Sequence, residues 1–467
     1  MTEVELADLG DVRLNKRLAT IVAGMAARPD VSLPQQAGSE SAREAAYQFH
    51  RNPRVTFDKV LEPHAARSIE RVVEAETALV VHDTTEFHFR GEVHREGLGR
   101  LGRGSGEGFF CHLALGVAPG GERRPLGVLG VETYVRGAER KPKGKQAKRI
   151  ADREALRWGR GIEAVEQRVG GRARLVHVLD SEGDIYEVLV DLQAKKRGFV
   201  IRAGRDRALK PEPAGERLYL YSQVALQAPL AQTFASLSAR RRPKEKPDAK
   251  RSSRRNRARE ARDAVLDIRA MRACLKIPAQ ARGQGLPTSV EVNVVSVMEN
   301  NPPPGVEPVN WTLLTSEPID SEAAVLRIVE AYRSRWLIEE FFKAIKTGCS
   351  YEKAQLETYH TLVVHLAMTL PVAYDLLLAR YLSRAEPATP AVAVFRSTLL
   401  DVLRYETDGK LPANPTIEEA LAAVARLGGH IKSNGPPGWA VLGRGYEDAL
   451  LIERGWRAAR GMEKCDQ

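Results

Sequence analysis

The chain has 467 residues, 43% of them hydrophobic, enough for two to four domains with a substantial core. A formal charge of +11 and a pI near 9.5 point to an anionic partner, nucleic acid first. Cys111, Cys274, Cys349 and Cys465 are far apart and form no Cys-x2-Cys pair, which argues against a zinc finger. No apolar run is expected to reach the ~18 residues of a membrane span, and no signal-type segment opens the chain. The expectation is a soluble, reduced, cytoplasmic protein with access to the nucleoid and no membrane partner. Free use of Arg in a high-GC host explains part of the Arg bias, but not its clustering.

Residues 1–65 read as a small helical domain. Asp11 can cap a helix whose apolar face is Leu14, Leu18, Ile21, Val22 and Met25, and Pro29 stops it. Arg13, Lys16 and Arg17 lie on the other side. A second helix starts near Ser39, with Ser41 and Glu44 spaced as a capping box, and carries Tyr47, Phe49 and Arg51. Basic residues on small helices suit phosphate contacts, and equally suit a solvated face.

Residues 66–205 alternate differently. Strands are expected over 78–81, 108–117, 125–135, 175–179 and 198–203, with helices over 152–169 and 185–195. Three strands followed by alternating helix and strand give an α/β class with a ribonuclease-H-like mixed sheet. Two apolar strands are expected to end on acids, Asp83 and Asp180, and strand ends are where open α/β sheets place ligands. Arg202, at the end of a strand, is a candidate phosphate ligand or a surface Arg. The Gly- and Arg-rich loop 99–106 could approach a phosphate backbone but matches no nucleotide-binding loop.

Residues 206–310 read as a β-rich insertion, with strands over 218–224, 264–277 and 289–298. Between them, residues 240–259 are dense in Arg and Lys, a run that favours DNA but also fits solvent, RNA or a membrane surface.

Residues 311–370 open on Trp311 in a short strand. A helix capped by Asp320 or Ser321 should follow, with no Gly or Pro to interrupt it as far as Lys346. Tyr332, Arg335, Glu339 and Lys346 have offsets of three, seven and fourteen, so on one helix of ~100° per residue they share a stripe. The neighbours, from Trp336 to Ile345, are apolar on nearly every side, which implies burial. A core helix with an Arg335–Glu339 pair is the plain alternative. Two aspartates and one glutamate can also hold hard divalent cations through oxygen, and two such ions support phosphodiester cleavage. Residues 371–467 are helical: 362–381 is apolar, Thr416 and Glu419 form a capping box, and Gly428-Gly429 ends that helix.

The order Asp83, Asp180, Glu339, with Tyr-x2-Arg-x3-Glu-x6-Lys around the glutamate, resembles the DDE transposases of bacterial insertion sequences, nearest the insertion-sequence-4 family. The likeness includes Leu9-Gly-Asp-Val-Arg-Leu-Asn-Lys-Arg-Leu, His82-Asp-Thr-Thr, Leu179-Asp-Ser-Glu-Gly-Asp-Ile and Trp311-Thr-Leu-Leu-Thr-Ser-Glu-Pro. It implies that Asp83, Asp180 and Glu339 are catalytic and bind two Mg²⁺, with Mn²⁺ able to substitute. It implies that Tyr332, Arg335 and Lys346 hold phosphates, and that Trp311 stacks a flipped-out base rather than only filling the core. It implies that residues 1–65 recognise the double-stranded transposon end, and that residues 371–467 dimerise in a synaptic complex. In relatives a further helical segment often precedes the Leu-Gly-Asp motif. The implied activity is cut-and-paste transposition through a hairpin. A catalytically silent DNA-binding regulator and a nuclease without strand transfer are the rivals.

Overall fold

The computed structural model describes residues 3, 7–27, 33–36, 39–89, 94–101, 106–121, 123–136, 154–210, 216–237, 260–430 and 437–459. Pro29, the core of the loop at 102–105, and the basic run at 240–259 lie outside them. The chain divides into two units, Met1–Ile150 with Arg160–Ala173 and Trp336–Gln467, and Ala151–Gly159 with Arg174–Arg335.

In the first unit, helix α1 (Val12–Ala27) starts where the Asp11 carboxylate accepts the Arg13 N–H at 2.8 Å. Leu18, Ile21, Val22 and Met25 are buried along one stripe. A short α2 (Leu33–Gln36) precedes α3 (Glu40–Arg51). The cap of α3 is Ser39, not Ser41: Ser39 has the extended backbone a cap needs, and its Oγ accepts the Ala42 N–H at 3.2 Å. Glu44 accepts from Gln48 instead of reaching back to a capping serine. Helix α4 (Phe57–Glu74) runs across position 65, so the polypeptide passes from the N-terminal helices to the sheet without a linker there.

Strand β1 (Thr77–Phe89) pairs antiparallel with β3 (Glu107–Val117), from Leu79 opposite Val117 to Phe89 opposite Glu107. β2 (Gly99–Arg100) and β4 (Pro125–Tyr134) pair with β3 as well. Beyond β1 and β3 the unit is helical: α5 (Arg157–Val169), which begins in the second unit's Ala151–Gly159 segment, then α9 (Trp336–Lys343), a π-helical turn (Ala344–Gly348), and α10 (Tyr359–Ala385). Contrary to expectation, α10 is long and apolar enough to cross a bilayer, with a mean hydropathy of 1.8 over its best window. That window is 83% buried inside the protein, which makes α10 a core helix. Position 370 falls inside it. Helices α11 (Ser397–Glu406), α12 (Ile417–Leu427) and α13 (Trp439–Ala459) complete the unit around Leu399, Leu403, Ile417, Val424 and Leu450. The Thr416–Glu419 capping box and the Gly428 terminus are as expected. A Cβ at Gly445 would stand 1.7 Å from the Val424 carbonyl oxygen, so glycine there lets α12 and α13 meet backbone to backbone.

The second unit holds a mixed sheet. β5 (Arg174–Leu179) runs parallel to β6 (Gly198–Arg202), with α6 (Tyr186–Ala194) as the crossover. From β6 the sheet continues antiparallel through β11 (Asn310–Thr315), β10 (Ser289–Glu299) and β9 (Arg262–Lys276). β7 (Leu209–Lys210) and β8 (Ala231–Leu237) pair with β9. The mixed α/β class is therefore as expected, and 206–310 is rich in strand.

The strand expected over 218–224 is instead helix α7 (Leu220–Ala225). Its buried residues, Leu220 and Val224, are four apart, a helical spacing that the aromatic run Leu-Tyr-Leu-Tyr disguises. The long helix expected before Lys346 is also interrupted. α8 (Glu322–Arg333) stops at Ser334–Arg335, and α9 begins afresh at Trp336. No Gly or Pro causes this. The Ser334 hydroxyl donates to the Glu330 carbonyl at 2.9 Å, and the Arg335 N–H donates to the Tyr332 carbonyl three residues back. Serine's competition for backbone acceptors and the tightened last turn end the helix.

Candidate active site

Asp83 sits in the middle of a strand rather than at its end, because β1 continues to Phe89. Up to His82 the strand is buried on both faces; from Thr84 the pattern alternates, with Thr85, Phe87 and Phe89 inward. Asp83, half-buried, marks the change, and its Oδ1 accepts the Thr84 N–H at 2.7 Å. The flanking motif is built in: the Thr84 hydroxyl lies 2.9 Å from His112 Nδ1, and the His82 and His112 rings stack at 5.7 Å.

Glu339 lies in the first turn of α9, half-buried, with Ile338, Phe341 and Phe342 buried around it. α9 packs against β1, so the Asp83 and Glu339 elements are neighbours within the first unit. Trp336, expected among the buried neighbours, is 55% exposed with Lys343 Nζ 5.1 Å from its ring centre. Lys346 falls in the π-helical turn, whose extra residue per turn takes it off the simple helical stripe. Its Nζ donates to the Glu86 carbonyl at 2.6 Å and stands 3.7 Å from Glu352, fastening the turn to β1. One of its three donors is thus used within the protein.

Asp180 follows β5 directly, as expected, and caps a 3-10 turn (Ser181–Gly183), its Oδ1 accepting the Glu182 N–H at 2.8 Å. Since Leu179 is in register with Ile201 on the parallel strand, Asp180 stands level with Arg202. Glu182 is held by Arg157 at 2.8 Å. Four residues on, Asp184 is 2% exposed and forms a buried pair with Arg207, itself 6% exposed; Arg207 Nε donates to Asp184 Oδ1 at 2.9 Å. Asp184 Oδ2 also accepts the Gly204 N–H at 2.8 Å. A Cβ at Gly204 would meet the Ser181 carbonyl oxygen at 2.7 Å, so the β6 exit lies flat on the Asp180 turn. This clamp was not anticipated. Its signal is the third acid of Asp-Ser-Glu-Gly-Asp and the third cation of Arg-Ala-Gly-Arg-Asp-Arg.

Trp311 is half-buried at the start of β11, its ring 5.7 Å from that of Tyr332 and tilted by 59°. Tyr332 is buried. Arg335 is half-buried in the turn after α8. The break between α8 and α9 means that Tyr332 and Arg335 do not share one helix with Glu339 and Lys346, so the single stripe is corrected to two elements. At the N-terminus, Arg13 and Lys16 are exposed and Arg17 half-exposed on α1, opposite its buried face.

Among the described residues no group of three or more His, Cys, Asp or Glu is ready to hold a metal ion. The donor type nonetheless fits a hard cation, since Asp83, Asp180 and Glu339 all offer carboxylate oxygen. Cysteine chemistry at β3 is disfavoured: burial pushes the Cys111 thiol up to about 12.

Two family models match the chain. Residues 1–55 match a transposase DNA-binding model, and residues 178–374 match a transposase DDE domain. The first span contains Arg13, Lys16 and Arg17; the second contains Asp180, Arg202, Trp311, Tyr332, Arg335, Glu339 and Lys346; Asp83 lies in neither. Together they support a DDE transposase that binds DNA.

Proposed function

We propose that this chain is a cut-and-paste DNA transposase of an insertion sequence, of the insertion-sequence-4 type. The observation that carries the reading is the pair of matches, a transposase DNA-binding segment at 1–55 and a DDE domain at 178–374. The second begins just before Asp180, at the strand end, and spans Glu339. The N-terminal helices recognise the inverted-repeat ends, with Arg13, Lys16 and Arg17 on phosphates. A ribonuclease-H-like core, interrupted by the 206–310 insertion, supplies Asp83, Asp180 and Glu339. The C-terminal helices join two copies in the synaptic complex, and the protein works in the cytoplasm on the nucleoid.

Asp83, Asp180 and Glu339 would hold two Mg²⁺ (or Mn²⁺). When bound, such ions lower the pKa of a water and neutralise the leaving oxygen in phosphodiester cleavage. Mg²⁺ is commonly held by one or two carboxylates together with waters and substrate phosphate oxygens, so a closed three-residue cage is not required beforehand. Arg202, Arg335, Lys346 and Tyr332 position the phosphates on either side of the cut, fixing the scissile bond in line for attack. The first cut leaves a 3′-hydroxyl on the transposon end. That hydroxyl attacks the opposite strand to give a hairpin, a second water opens it, and the restored 3′-hydroxyl joins target DNA. Trp311 receives the base extruded while the hairpin forms.

The test is cleavage and gel shift of a short duplex carrying the terminal repeat beside the gene. Asp83→Ala, Asp180→Ala and Glu339→Ala should each abolish Mg²⁺-dependent cutting while still shifting the duplex. Wild-type cutting by any one of them removes that residue from the site. A wild-type protein that binds but never cuts in Mg²⁺ or Mn²⁺ would favour the silent regulator, and cutting without joining would favour the nuclease.

A further inference from the structure

Of the large hydrophobic side chains that stand exposed among the described residues, Tyr219, Tyr221, Leu226, Leu230 and Phe234 all fall within one short stretch of the second unit. Tyr221 is the best fixed of them. Its backbone N–H donates to Asp206 Oδ1 at 2.9 Å, and its hydroxyl donates to the Ala203 carbonyl at 3.3 Å. The residue is therefore tied to the segment that leaves β6 at its backbone and at its hydroxyl, yet it remains 37% exposed. Ala203 directly follows Arg202, and Asp180 stands level with Arg202 on the parallel strand. The hydroxyl feels the charges of Asp184, Asp206, Arg202 and Arg207; burial, then the two aspartates, hold it above the ordinary phenol range, so it stays a neutral donor at pH 7. An aromatic ring held at the β6 exit, one residue past Arg202 and within reach of its charge, suits a nucleotide bound at the strand end that Asp180 shares with Arg202. The ring offers a flat apolar face, and the guanidinium takes a phosphate.

We propose that Tyr221 is a substrate-contacting residue of the Asp180 site. Its ring stacks on the base or packs on the sugar of the nucleotide next to the scissile phosphate, while Arg202 holds that nucleotide's phosphate. The inference deepens the transposase reading and rests on it. Asp206 acts one step back, as a positioning residue that holds the start of α7.

The experiment uses the full chain and a duplex carrying the terminal repeat, with 5-iododeoxyuridine placed at successive positions around the cut. Irradiated in the cleavage-deficient Asp180→Asn background, the nucleotide beside the scissile phosphate should crosslink to Tyr221, read by mass spectrometry. In the kinetic arm, Tyr221→Ala should raise the KM for the duplex about tenfold, the scale of one lost base–aromatic stack, with a smaller change in kcat. Tyr221→Phe keeps the plate and should stay within about threefold of wild type, the loss of one modest hydrogen bond. Crosslinks that map elsewhere, or a Tyr221→Ala KM equal to wild type, overturn the proposal. If Tyr221→Ala is unstable, Tyr221→Leu and the crosslink map, which needs only an intact ring, decide it. The transposase reading fails separately, if the wild-type chain does not cut or if Asp180→Ala still does.

Discussion

Trp311 shows how much a single residue's position narrows its roles. The indole is half-buried with its ring 5.7 Å from that of the buried Tyr332, so part of its surface is packed and part is left for a ligand. Unstacking a base costs a few kcal/mol, and an aromatic platform returns about 1–3 kcal/mol. Trp311→Ala should then slow hairpin formation about tenfold or more, since each ~1.4 kcal/mol is a factor of ten. The first nick needs no bent strand and should be nearly normal, so nicked DNA should accumulate on a denaturing gel. An abasic site at the extruded position should restore part of the rate. Equal rates of hairpin formation in variant and wild type would leave Trp311 a packing residue only. The Asp184–Arg207 clamp makes a different demand. Both groups are nearly excluded from solvent, so Arg207→Met would strand a buried carboxylate, at a cost of about 3–5 kcal/mol. A markedly lower Tm is expected, and an unchanged Tm would mean that the pair is not buried in solution.

At the level of elements, α3 rests on α10 through a pair of histidines. The His50 and His365 rings are 5.5 Å apart, and both are buried. Burial lowers His50 to about 4, although its Nδ1 meets the Ala46 carbonyl at 2.7 Å. Burial, and then His50 itself, lowers His365 to about 3. Both bases therefore have native pKa values below the unfolded value of 6.5. Between these values the unfolded chain binds more protons, so the stabilisation is complete above 6.5 and is lost as pH falls toward 4 and 3, on the order of 3 kcal/mol for His50 and 5 kcal/mol for His365. His64 behaves in the same way: burial lowers it to about 4, despite the Glu3 carboxylate at its Nδ1 and the charge of Asp375. Tm measured from pH 7 to pH 4 should fall, and the fall should flatten in His50→Gln and His365→Phe. If both variants track the wild-type curve, the acid sensitivity lies elsewhere.

The same scale separates what the sequence discloses from what it hides. Asp180 was legible because a short parallel strand buried on both faces is a continuous apolar run, and its end is visible as a polar residue. Asp83 was legible as a residue but not as a position, since an antiparallel strand that turns from two-sided to one-sided burial looks as if it stops. The α8–α9 break was invisible: Ser334 is an ordinary helix residue until its hydroxyl takes a backbone acceptor. α7 reads as a strand in sequence because aromatic residues weigh toward strand, while its burial follows Leu220 and Val224. Ser39 and Ser41 were equally good caps in sequence, and backbone conformation chose between them.

For the whole molecule, charge is the property that reaches furthest. With +11 formal charges the chain is attracted to any polyanion, so affinity alone cannot separate end recognition from general DNA binding. Salt dependence can. Each phosphate neutralised by a cation lowers the slope of log affinity against log salt by about 0.9. Arg13 and Lys16 are exposed on α1 and Arg17 is half-exposed, while the buried stripe of that helix runs along Leu18, Ile21, Val22 and Met25. Replacing all three with Ala should therefore leave Tm within about 1 °C, the small effect expected of surface substitutions, while removing phosphate contacts. The slope for the terminal-repeat duplex should become shallower by about 2–3 if all three reach phosphates. On a duplex of unrelated sequence the change should be smaller, because there the remaining cations can share the contacts among many registers. An equal loss of slope on both duplexes would make the three cations part of general attraction. No loss on either would leave them a solvated face of α1, and place end recognition on α3 and the residues around Arg51.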